Sequence, residues 1–392
     1  MRIARTCFAA AVLAGLLVRA TGAFGQELPR GQVIDDVKCL GNPAQSYALY
    51  VPSTYTPERG WNLLIGFHPG ARGRVIVDKY RAAAERFGYI VAGSNNSRNG
   101  PWENSVAAIQ AMWADLGQRF SVDRRRIYMT GHSGGSRVAL QIAISTGQIA
   151  GVIASSAGYA DQQIRSSVPF VIFSTAGTAD FNNIEMQLVD RALKTPHRLV
   201  IFEGGHTLPP DDVAMEAVEW LELRAMAAGL RPRDDASIDR LFAKRQAQIV
   251  AAGESAAAVH LLQSLAADFS GLRDVAAASA RAAEWSKRAD IKRALARERA
   301  DVDAEARLLR DFQTLEEGLR DATQRRDTLD AMRSFLARLA KQADAAIESP
   351  ERSRARRVLR IVTMGLGERV QDPDYLKLLQ QYRPGRPPGT TS

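Results

Sequence analysis

Residues 126–141 read RIYMTGHSGGSRVALQ. The first five residues are mainly apolar and suit a buried strand, and the last five have the composition of a helix. Between them lies Ser133, with Gly131 and Gly135 at its second-neighbour positions. A serine at the tip of a tight strand-to-helix turn adopts a strained backbone and requires small neighbours, which these glycines supply. The stretch therefore predicts a nucleophile turn with Ser133 as the nucleophile.

The same turn predicts one donor for a substrate oxyanion. Gly134 follows the serine at the start of the helix, so its backbone N–H is expected to face the reacting centre. A phosphate-binding glycine turn is the alternative, but the stretch lacks the lysine and the glycine spacing of such turns. His132 is expected to pack beside the sheet, because a base at the adjacent position would point away from the serine oxygen.

Strand and helix patterns alternate with short links from residue 46 to residue 225. This alternation predicts an α/β fold with a mainly parallel sheet and helices on both of its faces. Ligands of such sheets bind beyond the carboxyl ends of the strands. The predicted strands are 47–51, 62–67, 89–92, 126–130, 149–154, 168–174 and 198–203, and the predicted helices include 75–87, 103–118, 136–145 and 211–226.

The chain is expected to continue beyond this α/β domain, assigned to residues 26–228, as an all-α helical region at 229–383. That region is rich in Ala, Arg, Leu and acidic residues, and Gly318 is the only glycine between residues 286 and 346. The pattern predicts an antiparallel helical hairpin or a short coiled coil. No fixed-period repeat is evident, and a tetratricopeptide-like array remains open. The Pro- and Gly-rich end, 384–392, is predicted to be a disordered tail.

The first 25 residues have the layout of a secretory signal peptide. A basic start precedes an apolar run at 8–18, and small residues at 23–25 offer a cleavage site before Gln26. The run is shorter than the ~20 residues that a spanning helix needs. We expect a secreted or periplasmic protein with no stable membrane span after cleavage. An uncleaved membrane anchor is the alternative.

Charge and cysteine content exclude several classes of function. The formal net charge is +9, but residues 26–225 hold nineteen basic and nineteen acidic residues, so that part is neutral. Three of the nine positive charges are arginines of the signal segment, and the other six lie beyond residue 225. In that helical region arginines alternate with acids as on solvated helix faces, and no nucleic-acid partner is expected. Cys39 is the only cysteine outside the signal segment, so neither a disulfide framework nor a thiol metal site is expected. We expect no metal and no cofactor.

The predicted base and acid follow the serine in chain order. Of the five histidines, His206 alone lies after both Ser133 and the predicted acid at the end of a strand, in the loop EGGH. Asp180 follows the strand at 168–174 and would accept the imidazole N–H and fix its tautomer. The alternatives are a structural loop histidine at 206 and a helix-capping role for Asp180, although Asn182 could also serve as that cap.

A second oxyanion donor is expected from the loop after the strand at 62–67. Pro69 has no N–H and cannot donate. Gly70 is the first candidate and Ala71 the second, because a glycine lets the backbone approach the substrate oxygen closely. His68 is expected to brace this loop. Trp102, which follows another strand, is a candidate for lining the substrate pocket, with a packing role as the alternative.

Taken together, these residues resemble the compact secreted esterases related to polyhydroxybutyrate depolymerases and feruloyl esterases. The resemblance covers about residues 33–225 and implies an α/β-hydrolase fold and an acyl-serine mechanism on small or polymeric carboxylic esters. Two features differ: His68 is followed by proline where glycine is usual, and Thr207 follows the base where an aromatic residue is common. The polymer and feruloyl substrates are therefore not carried over. The shared motifs are YALYVP at 47–52, the loop containing His68, GHSGG at 131–135, GTAD at 177–180 and GGH at 204–206.

The sequence thus predicts a serine esterase and leaves two alternatives open. A serine peptidase of the same fold would use the same three residues, and the C-terminal helices could then restrict access to its site. A catalytically inactive scaffold would use those helices to bind a protein partner. The intact set of Ser133, Asp180 and His206 argues against the scaffold.

Overall fold

A computed structural model describes residues 28–364 and 372–383 of the chain. The expected signal segment at 1–25 and the expected tail at 384–392 lie outside the described residues. The strands are β1 Val33–Cys39, β2 Asn42–Tyr50, β3 Trp61–Phe67, β4 Tyr89–Ser94, β5 Val122–His132, β6 Gly151–Ser155, β7 Val171–Gly177 and β8 His197–Phe202. The helices are α1 Gly73–Phe87, α2 Trp102–Arg119, α3 Gly134–Thr146, α4 Asn183–Ala192, α5 Asp211–Ala227, α6 Asp235–Ala252, α7 Ala256–Phe269, α8 Ala276–Trp285, α9 Ala289–Gly318, α10 Arg325–Ala343, α11 Pro350–Met364 and α12 Pro373–Gln381.

The eight strands form one sheet in the order β1-β2-β4-β3-β5-β6-β7-β8. The strands from β3 to β8 pair in parallel, and β1 and β2 join antiparallel at one edge. The predicted α/β fold with a mainly parallel sheet is confirmed, and the strand order is that of an α/β-hydrolase. The sequence did not reveal β1, because this edge strand has charged, exposed residues at Asp35 and Asp36 and an irregular register.

Helices cover both faces of the sheet, as predicted. On one face α1 and α5 pack against side chains such as Leu64 and Tyr128. On the other face α2, α3 and α4 pack against the alternate residues, among them Ile65 and Met129. Because both faces are covered, β3 is buried along its whole length, which explains its nearly continuous apolar sequence.

The C-terminal helices pack in two groups. The first group, α6 to α8, covers the end of α5 through Leu223 and Met226. The second group, α9 to α12, has its own apolar core around Phe312 and Leu336. α9 and α10 pack against each other across a short connection, as the predicted hairpin requires, but α11 packs on both of them, so the arrangement is a helical cluster. Among the described residues, no helix has both the length and the apolar character to cross a membrane.

A buried polar network joins the first helical group to the sheet. Asp268 of α7 accepts hydrogen bonds from Arg198 of β8 and, at 2.6 Å, from the indole of Trp220 in α5. Arg198 also pairs with Glu216 of α5 at 2.8 Å, and Glu216 pairs with Arg245 of α6 at 2.6 Å. Because all of these side chains are buried, each charge depends on its partners for compensation.

We predict that Asp268→Ala lowers the free energy of unfolding by about 3 kcal/mol, because it leaves a buried guanidinium and a buried indole N–H short of an acceptor. Urea denaturation followed by circular dichroism measures the change. Asp239→Ala is the matched control: its partner Arg273 is exposed, so the cost should stay below about 1 kcal/mol. Equal costs for the two variants would contradict the role of the network.

Candidate active site

Ser133 lies in the strained turn that the sequence predicts. It joins the end of β5 to the start of α3 with φ 54° and ψ −122°, a region that side-chain-bearing residues rarely adopt. The turn closes because β5 and α3 approach each other at Gly131 and Gly135, which have no side chains. A Cβ atom on Gly131 would lie 2.2 Å from the carbonyl group of Gly135. The backbone of the turn therefore raises the serine side chain above the carboxyl end of the sheet.

The structure brings the three predicted residues into one hydrogen-bonded chain. Nε2 of His206 lies 2.8 Å from Oγ of Ser133, and Nδ1 of the same ring lies 2.8 Å from Oδ1 of Asp180. Asp180 is fully buried, whereas Ser133 and His206 are half-buried. The three residues follow β5, β7 and β8, whose carboxyl ends meet at one edge of the sheet.

Asp180 contacts the base and orders its own loop, but it does not cap α4, because the N–H that its carboxylate accepts belongs to Asn182, which precedes the helix. Oδ1 of Asp180 accepts the backbone N–H of Asn182 at 2.8 Å as well as the contact from His206. Asn182 is the residue that precedes α4, but its side-chain amide donates to the carbonyl of Ser156 at 2.7 Å and makes no cap hydrogen bond. The acid therefore orders its own loop while it orients the imidazole.

The loops that carry the acid and the base are joined to each other. The N–H of Thr178 donates to the carbonyl of Phe202 at 2.9 Å, and the N–H of Ala179 donates to that of Gly204 at 2.8 Å. Phe181 stacks on His206 with 4.0 Å between ring centroids and 27° between planes. The sequence analysis did not identify Phe181, although its position directly after Asp180 was a usable signal. The aromatic neighbour of the base therefore comes from the acid loop.

In the loop after β3, both N–H groups predicted as oxyanion donors have acceptors within the loop itself. The N–H of Gly70 donates to Nδ1 of His68 at 3.0 Å, and the N–H of Ala71 donates to the carbonyl of His68 at 3.0 Å. Neither predicted donor is thus free to face a substrate oxygen in this arrangement. Gly134 is the first residue of α3, where backbone N–H groups have no acceptor within the helix. At the turn itself, Gly134 is therefore the available donor.

His68 and His132 form a line of imidazole rings with His206. The centroids of His68 and His132 are 6.0 Å apart, and those of His132 and His206 are 4.9 Å apart. Burial, and then the neighbouring Arg72 guanidinium, lowers the pKa of His68 to about 4. Burial, and then the charge of His206, lowers the pKa of His132 to about 4. Both rings are therefore neutral near pH 7.

Asn99 is a further residue that the sequence analysis missed. Its backbone N–H donates to the carbonyl of Pro69 at 2.9 Å, which joins its loop to the loop after β3. Its side-chain amide lies against Gly134, where a Cβ atom would be 1.8 Å from Oδ1 of Asn99. Several asparagines and serines precede it in the sequence SNNSRNG, so composition alone could not single it out. The amide is a polar group placed directly at the nucleophile turn.

Trp102 is the first residue of α2, half-buried against the core on the side of α2 and α3. Its packing role is thus visible, and its predicted contact with substrate stays a prediction.

In the part of the chain that the structure describes, no cluster of three or more His, Cys, Asp or Glu side chains is placed to hold a metal ion. Cys39 is buried as a free thiol, and burial raises its pKa to about 11.

No protein-family model matches this chain, and no curated protein matches it. Solved structures resemble about half of it. A thermostable esterase is 20% identical over 49% of this chain and 62% of its own, with a TM-score of 0.37. S-formylglutathione hydrolase from Staphylococcus aureus is 14% identical over 50% of this chain and 99% of its own, with a TM-score of 0.39. The feruloyl esterase module from Clostridium thermocellum is 14% identical over 48% of this chain and 85% of its own, with a TM-score of 0.39. The assignment of the fold rests on the strand order.

We predict that His132→Gln weakens the dependence of stability on pH. A histidine with a pKa near 4 in the folded state and near 6.5 when unfolded takes up its proton first in the unfolded chain. Wild-type protein should therefore lose stability as the pH falls from about 6.5 to about 4, and the variant should lose less. Urea midpoints at successive pH values measure the slope. Between pH 7 and pH 8 the two proteins should keep a constant difference, and identical slopes in the acidic range would refute the prediction.

Proposed function

We propose that the chain is a serine hydrolase that cleaves carboxylic esters through an acyl-serine intermediate. The hydrogen-bonded chain from Ser133 through His206 to Asp180 carries the proposal, because a serine becomes an effective nucleophile when an oriented imidazole can take its proton. The strained turn supports it further, since it places the serine side chain where a substrate can reach it. The motif resemblance supplies the choice of esters as the substrate class.

In the first half of the reaction, Nε2 of His206 removes the hydroxyl proton of Ser133 as Oγ attacks the ester carbonyl carbon. The carbonyl oxygen becomes an oxyanion, which the N–H of Gly134 stabilises. Asp180 stabilises the imidazolium and holds its tautomer. The intermediate then collapses, its carbon–oxygen bond breaks, and His206 returns the proton to the departing alcohol, which leaves the acyl group on Ser133.

In the second half, water replaces the alcohol. His206 removes a proton from the water as its oxygen attacks the acyl carbon, and the acyl–oxygen bond to Ser133 breaks. His206 then returns that proton to Oγ of Ser133, which restores the enzyme and releases the carboxylic acid. No residue beyond the three and the oxyanion donor is required for this sequence.

The proposed activity is tested with Ser133→Ala and Asp180→Asn on nitrophenyl acetate. Ser133→Ala should lower kcat by more than about 10⁴-fold because it removes the nucleophile. Asp180→Asn should lower it by about 10⁴-fold because an amide favours the wrong imidazole tautomer. A fluorophosphonate should label Ser133, as peptide mass spectrometry can verify. Wild-type protein that neither turns over the ester nor reacts with the fluorophosphonate would favour the scaffold alternative.

The peptidase alternative is separated by comparing nitrophenyl esters with aminoacyl nitroanilides. An esterase should show the higher kcat/KM on the ester, even after correction for the intrinsic reactivity of the two substrates. A corrected preference for the nitroanilide would identify a peptidase that uses the same three residues.

Export is part of the proposal. We propose that residues 1–25 direct export and are cleaved before Gln26, as the sequence predicts. N-terminal sequencing of protein recovered from the periplasm or the medium should then begin at Gln26. Recovery of the intact N-terminus in the membrane fraction would identify an uncleaved anchor.

A further inference from the structure

Helix α11 of the C-terminal region contacts the loop that holds the acid. Nη1 of Arg357 donates to the carbonyl of Thr178 at 3.1 Å, two residues before Asp180. The same guanidinium pairs with the carboxylate of Glu305 in α9 through Nε at 3.0 Å and Nη2 at 2.5 Å. Glu305 is buried, with 2% of its surface exposed. A bidentate pair with a buried carboxylate fixes the direction of the arginine side chain, which in turn holds α11 to the acid loop.

Apolar contacts hold the same helices against the α/β domain. Ile184 of α4, four residues after Asp180, packs in one buried cluster with Val302 and Ala306 of α9, and Ile361 of α11 packs against that cluster. The polar contact from Arg357 precedes Asp180 in the chain and this apolar cluster follows it, so the C-terminal helices contact the chain both before and after the acid. These two independent contacts hold α9 and α11 against the acid loop and α4.

Arg360 lies three residues after Arg357, so the two side chains share one face of α11. The guanidinium carbon of Arg360 is 5.6 Å from the ring centroid of Phe181. Phe181 in turn stacks on His206 at 4.0 Å. The guanidinium is therefore no farther from the imidazole of the base than these two distances together. The cation–π attraction holds the guanidinium near the ring without requiring its N–H groups to pair with an acid.

Arg360 is exposed and differs from the other arginines of its helix in its partners. Each of the others pairs with an acid of α9 or of the segment before α11. Among the described residues, no acidic side chain pairs with Arg360. The pairs are Arg352 with Glu348, Arg354 with Asp301, Arg356 with Glu348, and Arg357 with Glu305.

We propose that Arg360 is a specificity-determining residue that binds a carboxylate on the alcohol portion of the ester. The inference rests on the proposed esterase function. A guanidinium presents paired N–H donors that match a carboxylate, and Phe181 supplies an apolar surface between that cation and the reacting centre. The C-terminal helices thus form one wall of the substrate site.

The assignment to the alcohol side follows from the path of the proton. His206 must reach the departing alcohol oxygen to protonate it, so the alcohol lies on the side of the imidazole. The oxyanion donor Gly134 belongs to the nucleophile turn at the start of α3, whereas Phe181 belongs to the acid loop beside the imidazole. Phe181 contacts the imidazole directly, and Arg360 contacts Phe181. A carboxylate on the alcohol is therefore the substrate group nearest to Arg360.

The test compares two acetyl esters that differ only in the charge of the alcohol: 4-acetoxybenzoate and 4-acetoxybenzamide. The measured quantity is the ratio of their kcat/KM values in the full chain. Arg360→Met should lower this ratio by about fivefold, as expected for one partly exposed ion pair, and the loss should appear mainly in KM. Arg360→Lys should retain most of the ratio, and Arg360→Glu should lower it further than Arg360→Met.

Arg356→Met is the matched control, because it removes the same charge from an exposed position of the same helix. Its ratio should equal that of the wild type. Raising the salt concentration should lower the wild-type ratio by screening and leave the Arg360→Met ratio nearly constant. An unchanged ratio in Arg360→Met, or an equal loss in the control, would overturn the inference while the esterase function stands.

A binding measurement separates this inference from the proposed reaction. Ser133→Ala, titrated calorimetrically with 4-acetoxybenzoate, should bind about fivefold more weakly when Arg360→Met is added. The benzamide should show no such difference. If the wild type hydrolyses neither ester and resists the fluorophosphonate, the proposed function fails. If Arg360→Met does not weaken the binding of 4-acetoxybenzoate to Ser133→Ala, the inference about Arg360 fails, whatever the outcome for the proposed function.

Discussion

The close approach of β5 to α3 at Gly131 and Gly135 is the constraint on which the site depends. Two backbone segments meet there at a distance that leaves no room for a Cβ atom. The chain must therefore reverse within very few residues, and Ser133 takes up the resulting positive φ. Such strain persists only where the surroundings hold it, and here the buried β5 and the packed α3 do so. The serine is consequently presented by the rigid core of the fold.

The parallel order of the sheet turns this local feature into a site. Neighbouring parallel strands end at the same edge, so the loops after β5, β7 and β8 converge although 73 residues separate Ser133 from His206. Backbone hydrogen bonds continue the pairing beyond the strands, as where the N–H of Ser133 donates to the carbonyl of Ser155 at the end of β6 at 2.8 Å. Asp180 gains order from the same source, since it binds the backbone of its own loop while it contacts the imidazole.

What the sequence could predict follows from the range of the interactions involved. The turn at Ser133 and the alternation of strand and helix are local patterns. They therefore indicated the fold and showed which residues lie at the ends of strands. Spacing offered both Asp180 and Asn182 as a cap for α4, and neither side chain caps it: Asp180 accepts the N–H of Asn182, and the amide of Asn182 donates to Ser156. Spacing could not show this, because it depends on the direction of both side chains. At Gly70 the sequence indicated a donor, but the ring of His68 folds back onto its own loop and takes that N–H. Whether Gly70 donates to His68 or to a substrate depends on the rotamer of His68, which a sequence pattern does not predict.

The C-terminal helices show the same limit on a larger scale. Their arginines alternate with acids, which favours solvated faces, and Arg352 and Arg356 are indeed paired near the surface. Arg357 has the same sequence context but pairs with a buried glutamate and donates to a carbonyl 179 residues earlier in the chain. A one-residue step along a helix turns a side chain by about 100°, so adjacent arginines on one helix face different surroundings. The acid loop is consequently packed between the sheet and these helices, and its geometry depends on both parts of the chain.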